Sequence, residues 1–499
     1  MKSNIKIVSI VAMLLIGLFC ACTKDPGNYV YNEVNEAIVT GLDTAYSVNL
    51  GSNLSITPNI SYTLDKQMDT SNYTYEWLRL TLIGFNPGIP VRMASGTKIN
   101  AKITAPLGFY TASFRVTDKK TGVYKDNFFK LLVTRPSYEG WLLLSGTGSG
   151  SRLDMISYNL VQNRYSTIID ILKENKSDFK LLGDPSFVGS GNNNNGPMTT
   201  NTTDKIIVGA SQSAAYLGAD TLNYQPLWDF DNYMPIGYTG KTSGPTYLES
   251  SLAGSFLVAN NQAFIGSSLE FVRINLLGST PFIPAPFISF SVPTNTTQAI
   301  LYSKDLSQFL WYPGSGGACR PLENESLFVN KTGKDLLFMN FVNYNGGETF
   351  AILKEKTGNK VYLARFTIAK QNYYQEVTGT PMAEATNFAV SPEFGYVFYA
   401  VGSKIYEYDF NTGINLEMAD YGRRKISLLK FQTTYVSGAV NARLEKLKNS
   451  LIVCSYDEAD LNASGIFDVY TVPGINGQIV KSETYTGFGK IKSITYRRR

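Results

Sequence analysis

The chain is predicted to be all-β, an N-terminal β-sandwich followed by a β-propeller of about seven blades. Three observations predict it. Tyr (32), Phe (28) and Gly (43) are abundant, and short runs alternate large apolar with polar residues, the period of a half-buried strand. Gly and Asn-Gly punctuation recurs about every ten residues, as hairpins require, while helical periodicity is confined to short stretches such as 442–448. Strand starts then repeat over the last two thirds of the chain, as in an array of similar units.

The first element is a leader. Lys2 and Lys6 stand before or beside an uncharged run of thirteen residues, 7–19. A helix of that length spans about 20 Å against a hydrocarbon core of about 30 Å, so the run reads as a secretory signal and not as an anchor. No later stretch is apolar enough to span a bilayer, so the rest is expected to be exported and otherwise soluble. Two of the four cysteines lie in "LFCACTKDPGNY" at 18–29. Cys22 follows the small Ala21 and resembles the modified cysteine of a bacterial lipobox, which is diacylated, cleaved and acylated again. Cys20 follows Phe19 and does not fit; Phe19 also stands where that motif usually has leucine. Residues 1–21 are therefore expected to leave as a lipoprotein signal peptide and Cys22 to carry lipid. The alternative is an ordinary cleaved signal with incidental cysteines. Three acyl chains, at about 0.8 kcal/mol per buried methylene, would make the anchor permanent. Residues 22–27 have no core-forming run and read as a flexible tether. The lysine and acid after Cys22 resemble the surface-export signals of Bacteroidetes lipoproteins.

Residues 28–136 form the sandwich. "YTYEWLRL" at 73–80 puts Tyr73, Tyr75 and Trp77 on one strand face. "GFYTASFRVTDKKTGVYKDNFFKLLV" supplies two more strands around a "KKTG" turn. The pattern Gly108, Tyr110, Val116, Thr117, Asp118 resembles the "G-x-Y-x-x-x-x-V-T-D" ending of the PKD-type (polycystic-kidney-disease-like) immunoglobulin sandwich, slipped by one residue. The family's "FGDG" turn is absent after Trp77, where "RLTLIGFNPG" stands. The resemblance implies an immunoglobulin-like fold and no catalytic residues. Trp77 is expected in the core. "RPSYEG", with Pro136 and Gly140, marks the domain boundary.

Residues 137–499 form the propeller. Strand-like starts recur at 140, 205, 254, 307, 348, 395 and 449, at intervals of about 41 to 65 residues. "GYVFYAVGSKIYEYDFNTG" shows the unit most clearly, with "VYLARFT" at 361 and "IFDVYTV" at 466 in equivalent places. Seven units of about 50 residues and four short strands suit a propeller. No WD or kelch signature appears, so two or three further sandwiches remain the alternative.

Composition limits the chemistry. The chain has no histidine, which removes the commonest general base and zinc ligand. Catalysis would fall to carboxylates, Tyr, Lys or Ser, and a metal site to oxygen ligands. No cofactor and no metal is expected. The net charge, +5 in all and +3 without Lys2 and Lys6, is too small on so long a chain to suggest nucleic acid. The basic runs "GRRK" at 422–425 and the terminal "YRRR" read as a solvated loop and a solvated tail. Cys319 and Cys454, 135 positions apart, read as two free, part-buried thiols rather than a disulfide. "DFD" (Asp229, Asp231) and "DEAD" (Asp457, Glu458, Asp460) offer carboxylate pairs for a glycoside hydrolase, but neither lies in a motif that assigns a role, and solvated turns account for both.

Aromatic loops point instead to binding. "YQPLWDFDNYMPIGY" at 224–238 and "FLWYPGSGG" at 309–317 place Trp228, Tyr233, Trp311 and Tyr312 beside Pro and Gly. Exposed rings there would stack on sugars or peptide side chains; the competing reading puts them between blades. "GSGNNNNGPMTTNTTD" at 189–204 is a polar loop, read as a propeller rim or a partner contact.

Leader, sandwich and degenerate propeller together resemble the PKD-like surface lipoproteins of Bacteroidetes over nearly the whole chain. That resemblance implies a lipid-anchored, outer-membrane, outward-facing accessory to a starch-utilisation-type TonB-dependent transporter and its lid lipoprotein, holding a glycan or peptide. It also implies O-glycosylation at Asp-Thr-aliphatic triplets, for which Thr44 and Thr221 are candidate acceptors. A carboxylate-dependent hydrolase or lyase and a scaffold without ligand are the alternatives.

Overall fold

A computed structural model describes residues 34–83, 86–159, 162–191, 205–218, 221–235, 238, 246–250, 255–266, 270–290, 297–431 and 446–497. The leader, Cys20, Cys22, the tether and most of the polar 189–204 loop lie outside the described residues. Among the described residues no helix is long and apolar enough to cross a membrane. The chain divides into two compact units, 1–135 and 136–499.

The first unit is an immunoglobulin-like sandwich. Its five-stranded sheet has the order Ala45–Asn49, Tyr124–Thr134, Gly108–Asp118, Tyr73–Ile83, Asn86–Ser95. Only the first pairing, Ala45 with Lys130, is parallel. Two small ribbons, Ala37–Thr40 with Asn59–Tyr62 and Asn53–Ile56 with Ile99–Lys102, complete the fold. Alternation works as the pattern implies: Tyr73, Tyr75 and Trp77 turn inward with Phe114, Phe129 and Val133. Trp77 is fully buried, its ring 4.4 Å from that of Phe114, and its Nε1 donates to the Gly96 carbonyl at 3.0 Å. The "KKTG" turn closes because Asp118 Oδ1 accepts from the Lys120 and Thr121 amides and Gly122 takes φ +71°.

Among the described residues the second unit is a ring of seven antiparallel sheets, with one further two-stranded ribbon, Leu276–Leu277 with Thr280–Pro281. The first joins Glu139–Gly146, Ser151–Asn159 and Arg164–Ile168 to the last strand of the chain, Lys490–Arg497, which takes the innermost place. The second has Pro185–Gly191, Lys205–Ala210 and Ser213–Gly218. The third to seventh have four strands each and begin at Tyr247–Ser250, Pro284–Ser289, Asp335–Val342, Asn387–Val390 and Lys425–Phe431. Strands buried on both faces explain the closure. In the first sheet Leu142 and Leu144 face the second sheet, while Trp141 and Leu143 face the seventh. Every adjacent pair of sheets shares such an apolar seam, including the seventh with the first, so among the described residues each sheet is covered on both faces. Innermost strands of the third to seventh sheets surround a central cavity of about 200 Å³ lined by Tyr247, Phe287, Phe338, Phe388 and Phe431. Further sandwiches are excluded, because a sandwich closes on two sheets and these seven close only as a ring.

Six of the seven recurring starts mark the second strand of a sheet. "SQFLWYP" is instead the third strand, Gln308–Tyr312, of the fourth sheet; the second is Ala299–Ser303. The terminal tyrosine-arginine run also differs from expectation. Tyr496 and Arg497 belong to the closing strand and are buried, so the tail is structural through Arg497.

Candidate functional site

The aromatic segment leaves the second sheet along the outer edge of its described strands, and its residues 224–235 and 238 are described. Pro226–Trp228 and Phe230–Tyr233 are 3-10 turns, and between them Asp229 bridges Ala215. Pro226 presets the first turn, its fixed φ suiting a helical start. The turns drive Trp228, Phe230 and Tyr233 into the seam between the second and third sheets. Tyr224 and Asp229 stay partly exposed and Asp231 exposed.

Those outward groups edge a cleft of about 330 Å³ between the second and third sheets. Its buried floor is apolar: Phe179, Phe230, Leu257 and Ala259. Its rim is polar, with Asp178, Lys180, Gln212, Asp229, Asp231 and the Tyr224 and Tyr238 rings. Gln212 lies in the turn between the last two described strands of the second sheet, and Ala259 ends the second strand of the third. The cleft therefore opens at the edge of the ring that carries these turns.

Burial pushes the Tyr224 hydroxyl up to about 12, and the hydrogen bond it donates to Asp229 Oδ1 at 2.8 Å adds to the shift. Burial likewise takes Tyr238 to about 12, with Asp231 adding repulsion. Both phenols are therefore neutral at ordinary pH. Neutral hydroxyls and carboxylates around an apolar floor suit a ligand with one polar and one apolar face, and the volume is that of a small-molecule site.

The four aromatic residues expected to contact ligand do not share this cleft. Trp228 is only 8% exposed, and Lys205 Nζ covers its ring at 3.6 Å. Tyr233 is buried and donates to the Leu227 carbonyl at 2.9 Å. Tyr312 is buried between the third and fourth sheets and donates to the Gly316 carbonyl at 3.0 Å. These three are not stacking platforms: the Pro and Gly beside them build turns that fold the rings inward. Trp311 points to the other face of its strand and stays partly exposed. It edges a shallow groove with Glu323, Asn324, Ile368 and Ala369, between the fourth and fifth sheets and apart from the cleft.

The other candidates are placed as follows. Thr44 is exposed. Thr221 is partly buried and its hydroxyl donates to Asn223 Oδ1 at 2.6 Å. "DEAD" is a capped turn: Asp457 and Asp460 accept backbone amides at 3.0 Å from Ala459 and Asn462. It also neutralises "GRRK", through Arg423–Asp457 at 3.0 Å and Lys425–Glu458 at 2.7 Å. Cys319 and Cys454 are free and buried in different seams. Burial raises both thiols, Cys319 to about 12. Asp178, Lys180 and Gln212 were not singled out from sequence. They sit in loops without a motif, and only the approach of two sheets brings them to Asp229 and Asp231.

The model of the PKD-like family matches residues 22–178, the sandwich and the start of the propeller, and not the whole chain. No curated protein matches. Among solved structures, a quinonprotein alcohol dehydrogenase-like protein from Bacteroides thetaiotaomicron is similar at 14% identity and a TM-score of 0.39, over 91% of this chain and 96% of that one. The extracellular domain of a two-component system from the same organism is similar at 9% identity and 0.36, over 77% and 56%. A dihydro-heme d1 dehydrogenase gives 9% and 0.38, over 77% and 72%.

Proposed function

We propose that this chain is a non-catalytic binding protein of the cell surface, and that the cleft between the second and third sheets is its ligand site. The observation that carries the reading is the composition of that cleft, an apolar floor of Phe179, Phe230 and Leu257 under a rim of carboxylates and neutral phenols. Such a rim hydrogen-bonds a polyhydroxylated or amide-bearing ligand while the floor accepts its apolar face. Lipid on Cys22 holds the protein at the outer membrane, where it serves a TonB-dependent transporter and its lid lipoprotein by raising the local concentration of a glycan or peptide. The lipobox-like Ala21–Cys22 junction and the PKD-like match support this placement.

Calorimetry of the purified chain against oligosaccharide and peptide panels tests the reading. A ligand should bind, and Tyr224→Phe with Asp231→Asn should weaken it about 10-fold or more, on the order of 1.4 kcal/mol for two rim hydrogen bonds. Binding unaffected by these changes places the site elsewhere. A second reading, a carboxylate hydrolase, is favoured by one observation: Asp178, Asp229 and Asp231 all reach the same cleft. Product release that Asp229→Asn abolishes would establish it.

A further inference from the structure

Glu407 lies in the third strand of the sixth sheet, Lys404–Asp409. Ile405, Glu407 and Asp409 point to the same face of that strand, toward the seventh sheet. Glu407 stands between Phe398 on one neighbouring strand and Leu416 on the other. The seam around it is apolar: Phe398, Ile405, Met418 and, across the gap, Leu451, Val453 and Tyr470. Glu407 is 1% exposed, and among the described residues neither carboxyl oxygen has a hydrogen-bond partner.

Among the described residues, the charged groups of these two sheets named here are occupied. Asp409 accepts from the Asn411 amide, Thr412 Oγ1 and Asn476 Nδ2 at 2.9, 2.9 and 3.2 Å. Lys404 pairs with Glu417 at 2.8 Å on the edge of the sixth sheet. Across the seam Lys481 pairs with Asp468 at 3.0 Å, Asp468 also accepts from Tyr421, and Lys425 pairs with Glu458. Tyr396 accepts from the Asn476 amide. An ionised Glu407 would be an uncompensated charge in an apolar seam, next to an anion. Burying such a charge costs several kcal/mol, and a proton removes most of that cost.

We infer that Glu407 is a proton-operated latch on the seam between the sixth and seventh sheets, holding a proton while the seam is tight and loosening it on release of that proton to solvent. Burial first, and then Asp409, raises Glu407 from 4.5 to about 7. A carboxyl raised on folding contributes stability that is complete below its ordinary value and lost as pH rises through the raised one. The latch therefore weakens between about 4.5 and 7 and is released in mildly alkaline surroundings. Because the ring closes through every seam, loosening one lowers the stability of the whole second unit.

Thermal melts of the full chain at pH 5.5 and 8.5 test this. The wild type should lose on the order of 5 °C more than Glu407→Gln between these pH values. Glu407→Met serves the same comparison if a buried amide proves disruptive. Equal pH dependence in wild type and variants overturns the inference, as does a difference of opposite sign. Infrared spectra of the wild type give a second readout that needs no variant. A protonated-carboxyl band should be present near pH 6 and vanish above about 8; its absence near pH 6 overturns the inference.

Discussion

At the scale of single residues, two tryptophans in similar sequence settings have different roles. Trp228 and Trp311 both stand beside Tyr, Pro or Gly in aromatic stretches. Trp228 fills the second seam under Lys205, and Trp311 stays partly exposed beside the seam between the fourth and fifth sheets. Truncating a large buried ring costs about 3–5 kcal/mol, whereas a half-exposed one loses much less contact. Trp228→Ala should accordingly lower stability in urea by about 3 kcal/mol or more, and Trp311→Ala by about 1 kcal/mol. Similar losses at both positions would show that Trp311 is core as well. Asp229 gives the same lesson for polar groups. As half of "DFD" it looked like one end of a solvated pair, but folding sets it against the Tyr224 hydroxyl and beside residues 178–180.

At the scale of elements, the strand Lys490–Arg497 is the one that closes the ring. It pairs with Glu139–Gly146, matching Leu142 to Thr495, and buries Ile491, Ile494 and Tyr496. The Tyr496 hydroxyl donates to Glu139 Oε1 at 2.8 Å, which ties the two ends of the second unit together. A chain ending at Gly489 would leave the first sheet without its inner strand and two seams with one wall thinned. Such a truncation should abolish the cooperative melt of the propeller, as followed by calorimetry. A sharp transition within a few degrees of the full chain would show that closure is dispensable. The strand carries little signal of its own in sequence, because "KIKSITYRRR" mixes basic residues with a short apolar alternation. Its basic residues suggested a tail; the pairing partner that makes it a strand lies some 350 residues away.

At the scale of the whole molecule, the two compact units each have their own core, Trp77 and its neighbours in one and the seven seams in the other. The anchoring proposed for Cys22 concerns both, since it decides where any ligand would be met. Cys22→Ala should shift the protein from the membrane to the soluble fraction on cell fractionation, and Cys20→Ala should leave it in place. Unchanged membrane partition of the Cys22 variant would remove the lipid anchor from the account.

Sequence by itself was sufficient for what depends on short-range pattern. Alternation in "YTYEWLRL" placed Trp77 in a core, the "KKTG" turn announced its hairpin, and the repeat of apolar strand starts counted seven sheets. Each of these is set by side-chain period and turn chemistry within a dozen residues. It was insufficient where identical local patterns have different neighbours. Which aromatic rings face a seam, which carboxylates meet at a cleft, and whether Glu407 has a partner depend on how adjacent sheets abut. Tertiary structure alone decided these, because the rings, carboxylates and cations concerned come from strands far apart in the chain, and burial of a charge or a ring is a property of everything packed around it.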